Sequence, residues 1–170
     1  MRGPLARIVG GAAPRIVVRA AVRRDLAQVV ALNANADAEE HRLIPDIAAL
    51  RIDHRLARRY WLRTIRSRRS RLFVAERRRR ILGIVAVDLR TARSRLAVVR
   101  RHIYVHSLYV VRLARGGGLA RALTQVALDW GRGRGAVQAR LEMAEPNSAA
   151  RGLYESLGFR RREAMLARAI

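Results

Sequence analysis

The chain is 170 residues long and 51% apolar, holds no cysteine, and sets 36 basic residues, all arginine, against 13 acidic ones for a net charge of +23. That length predicts one domain large enough to bury a core, and the missing cysteines exclude disulfides, thiolate metal sites and a cysteine acyl-enzyme. The missing lysine excludes a phosphate-binding Walker motif, and no stretch reaches the roughly 18 apolar residues of a membrane span.

Residues 1–14 are small, basic and glycine-bearing, and they predict a flexible basic tail ahead of one domain over 15–170. Strands are expected near 15–20, 71–76, 81–89, 101–111, 137–143 and 159–168, and helices near 25–38, 46–66, 117–130 and 147–157. Asp25 and Asn147 are suited to cap the first and last helices, because a short side-chain oxygen can accept from the orphan N–H groups of a first turn. This alternation, with one hairpin, predicts an α/β fold: a mixed, mostly antiparallel sheet of six or seven strands flanked by about four helices.

The run from Asp53 to Arg71 is dense in arginine around Tyr60, Trp61 and Leu62. It reads as an amphipathic helix whose arginine stems cover apolar surface while Tyr60 and Trp61 pack inward, in preference to a nucleic-acid stacking platform. The net charge implies attraction to polyanions, yet arginine and alanine without lysine are also what a GC-rich genome writes. A nucleic-acid or acidic-protein partner is therefore left open without being favoured, and the expected location is the cytoplasm, away from membranes.

Arg115-Gly116-Gly117-Gly118-Leu119-Ala120 follows the apolar run Ile103 to Val111 and opens a segment with apolar residues at Leu119, Leu123, Val126 and Trp130. Strand, glycine loop and helix in that order make an anion cradle, with unpaired N–H groups and the helix dipole aimed at a phosphate. The spacing fits neither GxGxxG nor a P-loop. A second signature follows an alternating run from Gln138 to Met143: Asn147-x-x-Ala150-x-x-x-Tyr154-x-x-x-Gly158-Phe159.

Together the two signatures resemble the GCN5-related N-acetyltransferase (GNAT) superfamily. Upstream, Val18 to Ala21 with Asp25-Leu26 resembles its opening strand and helix, and Leu72 to Glu76 with Ile81 to Val87 its central hairpin, so the likeness covers about 15–170. Three departures stand out. Ala120 occupies a loop glycine position, Arg77 to Arg80 replaces a glycine turn, and Val111-Arg112-Leu113-Ala114 precedes the loop.

The resemblance implies acetyl-CoA as co-substrate without a metal, and direct transfer to a primary amine of a small molecule, a protein N-terminus or a lysine. A non-catalytic module of the same fold, binding acyl-CoA or nucleic acid, is the alternative, and a homodimer is left open. Arg115, Gly116, Gly117, Gly118, Leu119, Ala120 and Arg121 would cradle the phosphates, and the strand residues Leu108, Tyr109 and Val110 would run beside the pantetheine arm. Tyr154 would donate a proton to the leaving thiolate, or only pack beside it. Asn147 would contact the cofactor arm, cap its helix, or both.

The base is expected at Glu142 or, behind it, His106, since a glutamate near the first position or an acidic strand residue near the second serves relatives that acetylate amines. Glu142 could instead hold an arginine, and His106 could be a plain strand histidine. His41, His54 and His102 lack partners at metal spacing, and Ser107 and Ser156 lack a nucleophile elbow. The acceptor would be chosen by Asn33 to Ile44 and Arg160 to Met165, where Asp37, Glu39 and Glu40 could attract a cationic amine or stay solvated.

Overall fold

The computed structural model describes residues 7–9, 15–45, 53–92 and 99–162. Among these residues six strands form one sheet in sequential order: β1 (Arg7–Val9), β2 (Ile16–Ala20), β3 (Ser70–Arg77), β4 (Arg80–Thr91), β5 (Arg101–Val110) and β6 (Gln138–Leu141). The first five pair antiparallel, and β6 lies parallel to β5 after a helical crossover. The expected mixed, mostly antiparallel α/β class is what the chain forms.

Among the described residues four α-helices cover the faces: α1 (Leu26–Leu43), α2 (His54–Arg66), α3 (Leu119–Arg132) and α4 (Ser148–Ser156). Alternation along the strands splits the core in two. Phe73, Val85, Val87, Ile103 and Val105 face α3 through Leu123, Val126 and Trp130, while Leu72, Val74, Ile84 and Ala86 face α1 and α2 through Val29, Leu32 and Trp61.

Several boundaries moved. α1 runs to Leu43, beyond the expected 25–38, supported by an Asn33–Asp37 side-chain bond of 2.8 Å and by His41 and Arg42 in its last turn, where the helix dipole favours cations. β1 lies inside the segment assigned to the tail and pairs Ile8 with Val17. The rest of that tail, residues 46–52 of the expected second helix and 163–168 of the expected last strand, lies outside the described residues, and 159–162 form no strand.

Asp25 precedes α1, but its side chain does not cap that helix. Its carboxylate accepts from Val22 N–H at 2.8 Å and from both Arg19 terminal nitrogens at 2.7 and 2.9 Å, while Arg19 Nε reaches Glu76 at 2.6 Å. Burial opposes ionisation there, but the Arg19 and Val22 bonds outweigh it and hold the carboxyl below its ordinary value.

The all-arginine hairpin turn folds without glycine. Arg78 and Arg79 take φ of 50° and 65°, the two left-handed positions that a tight two-residue hairpin requires. Gln28 of α1 staples it: its Oε1 accepts from Ile81 N–H at 2.9 Å and its Nε2 donates to Arg79 O at 3.1 Å.

Candidate functional site

β5 and β6 pair only from His102↔Gln138 to Val105↔Leu141. Beyond that point β5 runs on to Val110 while the chain leaves β6 towards α4, so among the described residues one edge of β5 from His106 onward carries no strand. A bulge marks the start of this open stretch. Ala86 pairs with Ser107 and Val87 with Val105, leaving His106 as the extra residue, and bulges re-aim side chains in this way.

At the far end of the open edge the chain makes a single turn, Arg112–Ala114, and enters the glycine loop, with Gly116 at φ 81° and Gly118 at φ 75°. Only glycine takes these angles freely. Among the described residues, the first backbone N–H from Gly116 onward with a bonded carbonyl is that of Ala122, which donates to Gly118 O at 3.0 Å. A Cβ at Gly116, Gly117 or Gly118 would meet no atom within 4 Å, so the loop faces open space. A cleft of about 230 Å³ lies there, walled by Val110, Ala114, the loop, Leu119, and Ala149 and Leu153 of α4.

The two arginines expected at the phosphates have protein partners. Arg115 donates to Val110 O at 2.9 Å and to Glu39 at 2.8 Å, and Arg121 donates to the Ser156 hydroxyl at 2.6 Å, which ties α3 to α4. Glu39, on α1, also accepts from Arg112 Nε and the Tyr109 hydroxyl, each at 3.2 Å. Burial opposes its ionisation, but Arg115 and Arg112 prevail and keep its carboxyl below the usual range. Glu39 and Tyr109 also border a second cavity, of about 460 Å³, between α1 and β5.

On the α1/α2 face, His106 Nδ1 lies 3.3 Å from the Tyr60 hydroxyl and its Nε2 lies 3.5 Å from Asp88 Oδ1. Burial pushes the Tyr60 phenol up, with Asp88 adding to the effect, whereas the nearby His106 and Ser70 outweigh burial at Asp88 and pull its carboxyl down. Glu142 is exposed beside Tyr104, whose phenol is raised by burial and then by Glu142, and Arg90 lies over the Tyr104 ring at 3.7 Å. Tyr104 stands opposite Asp88 in the ladder, so both base candidates lie by one stretch of sheet.

Asn147 caps α4, its side-chain oxygen accepting from Ala150 N–H at 3.0 Å. Tyr154, one residue past Leu153, is buried edge-on against Phe159 at 5.6 Å, and burial alone pushes its phenol up to about 12. The glycine loop thus meets the Asn147 helix, and His106 meets residues that the sequence reading missed. Tyr60 does not pack inward: Trp61 is 2% exposed and Tyr60 48%, as neighbours about 100° apart on a helix must diverge. Asp88, a lone acid continuing the buried run Ile81 to Val87, was the visible signal.

Among the described residues no group of three or more histidine, aspartate or glutamate side chains could hold a metal, and no helix is long and apolar enough to cross a membrane. The profile of the Acetyltransferase (GNAT) family matches residues 34–159. N-alpha-acetyltransferase 30 of Schizosaccharomyces pombe is 45% identical over 56 residues, covering 33% of this chain and 37% of that protein, so the chain spans little more than a third of this curated relative. A crystal structure of a mutant Bacillus halodurans protein matches with a TM-score of 0.81 at 21% identity, covering 90% of this chain and 98% of that one. A predicted acetyltransferase from Clostridium acetobutylicum, crystallised with acetyl-CoA, matches with a TM-score of 0.74 at 17% identity, covering 91% and 96%. Identities this low establish likeness of fold.

Proposed function

The chain belongs to the acetyltransferase (GNAT) family, and from that membership we propose that it moves an acetyl group from acetyl-CoA directly to a primary amine of a small molecule, a protein N-terminus or a lysine. The observation that carries this reading is the edge of β5, unpaired among the described residues, leading into a left-handed glycine loop that borders a cleft. The loop N–H groups from Gly116 to Arg121 bind the pyrophosphate, and the edge at Leu108, Tyr109 and Val110 accompanies the pantetheine arm. From Val110 back to His106 the strand spans about 13 Å, a distance suited to an extended arm. Asn147 steadies the arm from the cap of α4.

Acetyl transfer then needs polarisation of the thioester carbonyl, a proton acceptor for the ammonium and stabilisation of the departing sulfur. Backbone groups freed by the bulge serve the carbonyl. Tyr154 serves the sulfur: with its phenol up at about 12 it stays protonated at neutral pH. A thiol titrates near 8.5, well below this phenol, so Tyr154 supports the departing sulfur as a hydrogen-bond donor and keeps its own proton. The surroundings of His106, held between Tyr60 and Asp88, support it as the base over the exposed Glu142.

Calorimetry with CoA, followed by assays of polyamines, aminoglycosides, amino acids and N-terminal peptides for thiol release, tests the reading. Saturable binding and amine-dependent release are expected. Failure of CoA to bind would overturn it.

A further inference from the structure

Tyr60, His106 and Asp88 come from α2, β5 and β4 and meet in one line, at 3.3 Å and then 3.5 Å. Trp61 clamps the imidazole, stacking on it at 6.2 Å with 18° between the planes, and Tyr60 stands edge-on at 6.1 Å. The imidazole in the middle is the least exposed of the three, with the Asp88 side chain at 32%. The His106 side chain is 15% exposed and Tyr60 is 48% exposed, so an acceptor arriving at this face meets the phenol before the imidazole. His106 Nε2 is buried and makes no hydrogen bond among the described residues, although Asp88 lies close by. A neutral ring with its proton on Nε2 satisfies both neighbours: it can accept from Tyr60 at Nδ1 and turn its N–H towards the carboxylate.

We propose that Tyr60 is a catalytic residue that takes a proton from the acceptor ammonium while passing its own to His106 Nδ1, with Asp88 positioning the imidazole and neutralising the imidazolium. One N–H bond of the ammonium breaks and an O–H bond forms at the Tyr60 oxygen. The original phenol proton moves to Nδ1 at the same time. The amine keeps the electron pair and attacks the thioester carbonyl, and the imidazolium later releases its proton to solvent.

The groups facing His106 set the sign of the test. Asp88 of β4, Tyr60 of α2 and the uncharged Trp61 lie against the ring; Arg90 of β4 acts on Asp88 and stacks over Tyr104 of β5, which neighbours Glu142, while α1 presents the neutral Asn33 to Ser107. Asp88 is the anion nearest the ring, so its removal destabilises the imidazolium. The proposal rests on the acetyl-transfer reading and deepens it.

The test is made on the full chain with three variants, Tyr60→Phe, Asp88→Asn and Asp88→Glu, each checked for an unchanged thermal midpoint and CoA affinity. The His106 ring is titrated by NMR, and kcat/KM is followed against pH with an amine found active on the wild type. Asp88→Asn is expected to move the ring inflection and the acidic limb together to lower pH by about one unit. Asp88→Glu should restore both in part, and Tyr60→Phe should cut kcat/KM about tenfold or more. Full turnover by Tyr60→Phe, or a His106 inflection indifferent to Asp88→Asn, would overturn the proposal. If the wild type acetylates no amine while the ring still responds to Asp88→Asn, the transfer reading fails and the catalytic role of Tyr60 with it, leaving a structural pair.

Discussion

Arg115 and Glu39, 76 residues apart in the chain, meet at 2.8 Å and pin the entrance of the glycine loop to α1. The same carboxylate holds Arg112 and Tyr109, so one side chain of α1 sets where the loop leaves β5. Glu39→Gln keeps the shape and drops the charge. It is expected to weaken CoA binding severalfold by loosening the loop, with little loss of stability because the pair is partly exposed. Calorimetry in low and moderate salt checks this, and unchanged affinity would show that the loop holds its form unaided.

The loop itself predicts two distinguishable substitutions. Gly118→Val places a β-branched residue at φ 75°, costing about 1–2 kcal/mol of stability in addition to filling the cleft. Gly117 does not take a positive φ, so Gly117→Ala adds a methyl group to the open side without that strain. CoA affinity should fall in both variants, while thermal stability should fall only in Gly118→Val.

Tyr154→Phe keeps the ring against Phe159 and removes only the hydroxyl. Folding and CoA affinity should hold, and turnover should drop by about 10², as for loss of one hydrogen-bond donor to developing negative charge. The deficit should shrink with an acyl donor whose thiol is more acidic. Full turnover with acetyl-CoA would assign Tyr154 to packing.

Acid stability follows from Asp25, which is 3% exposed and held below its ordinary carboxyl value by Arg19 and Val22 against the cost of burial. A carboxyl lowered on folding contributes stability fully above its unfolded pKa, near 4, and loses it as pH falls through the lower folded value. The thermal midpoint should therefore be flat above about pH 5 and fall below about pH 4. Asp25→Asn should cost about 2 kcal/mol at neutral pH and make the acid slope shallower. An unchanged slope would remove Asp25 from the explanation.

The hairpin offers a stabilising change. Arg79→Gly relieves a left-handed position at φ 65° and should gain about 1 kcal/mol, read as a higher thermal midpoint. Gln28→Ala should lose about as much by freeing the turn.

The sheet, α3 and the glycine loop were legible because their signals are local: alternating apolar residues, the 3.6-residue spacing of Leu119, Leu123, Val126 and Trp130, and the three glycines. Asn147 was legible as a cap for the same reason. The Glu39–Arg115 clamp and the Tyr60–His106–Asp88 line were not, since each joins elements that only the folded sheet brings together. Treating Tyr60 and Trp61 as a unit hid the phenol, although adjacent helical residues point apart. Arg115 and Arg121 were placed at the phosphates by the glycine-loop resemblance, and what the sequence did not show is that both side chains are engaged with protein acceptors.

Acetyl transfer is tested most directly by incubating the protein with acetyl-CoA and the amine panel while following thiol release and the mass of the amine together. The result expected is one acetyl group gained by the amine for each thiol released, with both signals lost in Gly118→Val. A protein that binds no CoA, or releases thiol at the same rate with and without every amine, would contradict it.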